Sequence, residues 1–179
     1  MEDPAHVGFL SQLPLLASLK LECSSGRAWH IPADALLASL LRCSGPTELS
    51  LTCGFKSAHW SALFAELTLK KLTIRAGELE SLQCFAAGPI TQSLEELTLR
   101  EINVPPSEVR QLYSLRRLRT LHLYYCFSPR LDAAVVDVVS PPTSQLPALT
   151  KLVYQWQISE DTQVRKGPSF EWMQARLTQ

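Results

Sequence analysis

The sequence has no surplus of either charge. Its 17 Lys plus Arg face 17 Asp plus Glu, for a formal net charge of zero. Binding to nucleic acid or to an anionic membrane surface rests on a basic surplus, so neither is expected as a partner. No apolar run approaches the roughly 18 residues of a membrane-spanning helix. The opening Met1-Glu2-Asp3-Pro4 carries acid where a secretory leader would be basic. Five cysteines (Cys23, Cys43, Cys53, Cys84 and Cys126) are an odd number for a disulfide framework. They are expected to be reduced, in an intracellular protein of the cytoplasm or nucleus.

The residues that carry chemistry are equally sparse. No glycine-rich phosphate loop occurs among the seven glycines. Tight pairs of the Cys-x-x-Cys kind are missing, and Cys43 and Cys53 stand ten residues apart, so no metal ligand set is expected. His6, His30, His59 and His122 fall on different segments. None is expected to meet a serine, cysteine or carboxylate, beyond a loose approach of Cys53 to His59. With no paired carboxylates at one strand end either, the chain is expected to be no enzyme and to need no cofactor.

What the sequence does have is a repeated phrase. A leucine, two variable residues, a leucine, one variable residue and an aliphatic residue recur as Leu16-Leu19-Leu21, Leu69-Leu72-Ile74, Leu94-Leu97-Leu99 and Leu118-Leu121-Leu123. Looser copies are Pro46-Leu49-Leu51 and Leu149-Leu152-Tyr154. The starts at 16, 46, 69, 94, 118 and 149 lie 30, 23, 25, 24 and 31 residues apart. A second echo supports them: Ser11-Gln12-Leu13-Pro14 leads into the first copy and Ser144-Gln145-Leu146-Pro147 into the last.

With this phrase and period, the chain resembles the leucine-rich repeat superfamily over residues 16–157. The resemblance is to the longer ribonuclease-inhibitor-like and cysteine-containing types, the latter found in many F-box proteins. Cys126 stands at the ninth repeat position, where that superfamily carries Asn or Cys, while Ser24, Gly54, Gly77, Ile102 and Gln157 depart from it. The fold so implied is an α/β solenoid, a horseshoe segment with a parallel sheet on its concave face and short helices on its convex face. Residues 1–15 form a lead-in or incomplete cap, as if the array continued in a longer protein. Residues 158–179 form a C-terminal cap, with Phe170, Met173 and Leu177 at helical spacing.

Alternation along a strand turns positions four and six of each copy inward. So short an apolar strand cannot bury itself alone, so copies must stack. Helix punctuation marks the returns. Pro32-Ala33-Asp34 opens the first and Gly45-Pro46 ends it; Ser57 opens the second; Gly77 and Gly88-Pro89 bound the third. Pro105-Pro106-Ser107 opens the fourth, and Ser128-Pro129 with Pro141-Pro142 bounds the fifth. Position three reads Ser18, Glu48, Lys71, Glu96, Thr120, Lys151, and position two reads Ala17, Thr47, Lys70, Glu95, Arg119, Thr150. Signs alternate in both rows, which favours this register over a shifted one.

The superfamily resemblance implies partner binding on the concave face. There Arg75 and Arg100 fall side by side at position seven, beside Tyr124 and with His122 at position five. As a site, this is a basic and aromatic patch suited to a carboxylate, a phosphate or an acidic peptide. As mere surface, it is a solvated face whose arginines bend toward acids such as Glu101. Tyr125 and Trp156 at position eight are either an interface anchor or packing beneath a cap. The expected function is a non-enzymatic protein-interaction module. Its family-level alternatives are the substrate-recognition part of an F-box-type ubiquitin-ligase adaptor lacking its F-box, and a stoichiometric inhibitor or sensor of an enzyme.

Overall fold

In the computed structural model, the described residues are 10, 13, 16–21, 32–43, 45–52, 54–75, 79, 81–102, 106–124, 126 and 146–155. They form an α/β fold around one six-stranded parallel sheet, in the order β1 to β6 along the chain. The strands are β1 (Ser18–Leu21), β2 (Glu48–Leu51), β3 (Lys71–Arg75), β4 (Glu96–Arg100), β5 (Thr120–Tyr124) and β6 (Lys151–Gln155). The expected fifth return and the C-terminal cap lie outside the described residues, as does most of the N-terminal lead-in.

Strand pairing follows the alignment of the repeated phrase. Ser18, Glu48, Lys71, Glu96, Thr120 and Lys151 are successive partners across the sheet, as are Leu19, Leu49, Leu72, Leu97, Leu121 and Leu152. The entry to each strand is fixed the same way. The carbonyl of Ala17 accepts from the N–H groups of Thr47 and Glu48, and that of Thr47 from Lys70 and Lys71. Lys70, Glu95 and Arg119 repeat the pattern toward the next strand. One carbonyl per copy thus holds two N–H groups of the next, which leaves little freedom for slippage. The alternating charges act in the same sense: Lys71 Nζ lies 3.4 Å from Glu96 and 4.0 Å from Glu48. Both contacts are half-exposed and contribute at most about 1 kcal/mol each.

One face of the sheet is dry. Leu49, Leu51, Leu72, Ile74, Leu97, Leu99, Leu121 and Leu123 are buried, together with the position-one residues Leu69, Leu94, Leu118 and Leu149. The returns cover them and pack on one another in chain order. Helix α1 (Ala33–Arg42) has Asp34 in its first turn and Arg42 in its last, each at the favourable end of the helix dipole. Helix α2 (Ser57–Glu66) buries Trp60, Leu63 and Phe64 at spacings of three and four. Phe55, Trp60, Phe64 and Phe85 form a continuous run of rings with centroids 5.0 to 5.6 Å apart.

The third and fourth returns are 3-10 helices, Leu82–Ala86 and Pro106–Ser114. Their buried residues explain the tighter winding. Leu79, Leu82 and Phe85 recur every three residues, as do Val109, Leu112 and Leu115, matching three residues per turn rather than 3.6. Gly88-Pro89, expected to close the third return, instead starts the one-turn helix α3 (Ile90–Ser93). Two side chains tie the third return to the fourth. The Ser81 hydroxyl donates to Glu108 at 2.8 Å, and the Ser114 hydroxyl donates to the Phe85 carbonyl at 2.7 Å.

Candidate basic and aromatic surface

The last residues of β3, β4 and β5 are Arg75, Arg100 and Tyr124, and they are direct register partners. Adjacent parallel strands lie about 4.8 Å apart, so the two arginines rise from neighbouring positions on the face opposite the leucines. They do not share one environment. Arg75 reaches sideways to Glu101, Nη2 to Oε1 3.4 Å, with both side chains 41% exposed. Arg100 instead lies on the Tyr124 ring, its guanidinium carbon 5.3 Å from the centroid. This is cation–π distance. Its Nε is covered and has no hydrogen-bond partner among the described residues.

His122 stands two residues before Tyr124 and so shares its face. The two rings meet edge to face with centroids 5.7 Å apart, and the tyrosine hydroxyl lies 3.4 Å from Nδ1. The imidazole Nε2 is covered, with no hydrogen-bond partner among the described residues. Burial pushes the His122 pKa below the usual histidine value, the nearby Lys151 charge adds to this, and Glu96 opposes it. The ring is therefore biased toward its neutral form, so the fixed positive charge of the surface comes from the arginines. The influence of Lys151 was not evident from the sequence, because it sits at position three of the next strand, diagonal to His122 rather than beside it.

Four expected site residues are thus brought together: Arg75, Arg100, His122 and Tyr124. Tyr125 and Trp156 lie outside the described residues. Chemically, the cluster offers two forked cations, an aromatic face and a neutral imidazole, a set suited to holding a carboxylate or phosphate.

One expectation needs correction: His59 does have a carboxylate partner. Its Nε2 lies 3.1 Å from Asp34 Oδ1, because α1 and α2 pack side by side. The other nitrogen, Nδ1, accepts the Lys56 N–H at 3.0 Å and so holds the start of α2. Both ring nitrogens are occupied, leaving no lone pair to take a proton from a nucleophile. The pair is a clamp between helices.

The described cysteines are equally engaged. Cys126 donates to the Leu99 carbonyl at 2.9 Å, and burial pushes its thiol up to about 11. Burial likewise pushes Cys84 up to about 12 and raises Cys43, whose S–H reaches the Leu10 carbonyl at 3.1 Å. Thiols so shifted stay protonated at neutral pH and are poor nucleophiles and poor metal ligands. Among the described residues, no group of three or more His, Cys, Asp or Glu side chains is placed to hold a metal ion. Nor is any helix among them long and apolar enough to cross a membrane. Comparison with known proteins gives no match to a family model, a curated protein or a solved structure.

Proposed function

We propose that the chain is a leucine-rich repeat solenoid acting as a non-enzymatic protein-interaction module, and that its sheet face receives an acidic segment of a protein partner. The observation that carries this reading is the register pairing of Arg75 with Arg100 beside Tyr124. Two like charges on neighbouring strands repel, and an acid from a partner relieves that repulsion. A charge-assisted hydrogen bond to each arginine would contribute about 1.5–3 kcal/mol. The repeat reading draws support from the phrase itself, from six parallel strands in chain order and from Cys126. That thiol, at the ninth position of its copy, bonds back to the preceding strand through Leu99, a cross-copy tie that suits a stacked array.

The test is charge reversal. Arg75→Glu with Arg100→Glu is expected to abolish recovery of the partner in an affinity pull-down read by mass spectrometry. The thermal melt should stay nearly unchanged, because both side chains lie off the core. A double variant that still recovers the same partner would move the binding surface elsewhere.

A further inference from the structure

Three observations meet at Glu101. It is the one non-glycine residue with positive φ among the described residues, at 55°, a conformation that costs an L-residue free energy. Its N–H donates to the Tyr124 carbonyl at 2.8 Å, tying the turn after β4 to the end of β5. Its carboxylate points the other way, to Arg75 at the end of β3. One residue therefore spans three strand ends, and the left-handed turn delivers an acid to the place where the arginine pair would receive one.

We propose that Glu101 is an internal stand-in for the ligand: an acidic peptide segment binds by displacing the Glu101 carboxylate from Arg75. This rests on the acidic-partner reading of the same surface. The contact is built to be displaced, since at 3.4 Å between half-exposed side chains it belongs to the weak class of surface ion pairs. Through its contact with Arg75, Glu101 offsets part of the repulsion between the arginines. Arg100 lies over Tyr124 and has no carboxylate partner among the described residues, so it receives the first incoming acid. Arg75 follows once Glu101 swings away. Glu101 thereby sets the charge requirement: a neutral peptide cannot replace it.

A fluorescein-labelled oligoglutamate peptide, read by anisotropy at moderate salt, tests this with the full chain. Glu101→Gln should bind the peptide about two- to fivefold more tightly than the wild type, the range set by the strength of such pairs. Glu101→Gly, which also relaxes the left-handed turn, should show the same gain and guards against a folding artefact of the first variant. In an Arg75→Met background the gain should vanish, because nothing is left to release. Equal binding by the wild type and Glu101→Gln overturns the displacement and leaves the surface reading standing. A gain of the same size in the Arg75→Met background also overturns it, since the effect would then be a general charge effect. No binding by the wild type or by either Glu101 variant overturns both readings.

Discussion

At the scale of single residues, the two faces of the sheet make opposite demands. Leu97 and Leu121 are fully buried and paired in register on interior strands with a neighbour on each side, so their neighbours have little room to close a gap. Leu97→Ala and Leu121→Ala should each cost about 2–5 kcal/mol, read as a shift of the urea midpoint. A loss below about 1 kcal/mol would mean that the site relaxes more freely than its packing implies. On the other face, His122 links stability to pH. Its folded pKa is depressed, so at mildly acidic pH the unfolded chain binds more protons than the folded one. The contribution of His122 is then complete above the unfolded value of about 6.5 and is lost as pH falls through the folded pKa. Urea midpoints at pH 7.5 and pH 5 should separate for the wild type more than for His122→Gln. Equal separations would show that the imidazole is not held in its neutral form.

At the scale of elements, the sequence was most legible where one pattern had one meaning. Helices α1 and α2 were marked by Pro32-Ala33-Asp34 and by Ser57, ahead of long apolar runs, and they occupy those segments. In the third and fourth returns the punctuation marks where a helix lies but not how tightly it winds. The strict threes of Leu79, Leu82, Phe85 and of Val109, Leu112, Leu115 indicate 3-10 winding when read separately. The meeting of His59 with Asp34 was not legible, because it depends on how two returns lie against each other and not on any spacing within one. In the sequence Gly88 marks the end of the third return, and the structure gives it a sharper task. Its φ is +85°, and an added Cβ would come within 2.5 Å of the Phe64 carbonyl oxygen. The turn before α3 thus runs directly against the backbone of α2, where no side chain fits. Gly88→Ala is expected to lower the melting temperature through both strain and displacement of α2. An unchanged melt would show that the turn can move away from Phe64 at no cost.

At the scale of the whole molecule, stability should be graded along the chain. A sheet whose strands pair only with their sequence neighbours has a middle and two sides, and the burial of the repeated leucine records this. Its exposure falls from 9% at Leu19 to zero at Leu97 and Leu121, then rises to 4% at Leu152. Interior strands gain from a neighbour on each side, so they are expected to be the last to open. The first strand gains least, and Leu21 is only partly buried where its counterparts Ile74, Leu99 and Leu123 are fully so. This gradient also bears on the proposed function, because Arg75, Arg100 and Tyr124 end β3 to β5, each of which has a neighbouring strand on both sides. Part of that arrangement was legible in the sequence, since a shared repeat position becomes strand register. The stacking of Arg100 on Tyr124 and the turn at Glu101 were not, because rotamer and φ follow from local sterics. Native-state hydrogen exchange is expected to show the slowest amides in β4 and β5 and the fastest in β1, with a progressive change between them. Identical protection across all six strands would mean that the sheet opens as a single unit. The support beneath the arginines would then come from the whole molecule, and Leu19→Ala would damage the surface as much as Leu97→Ala.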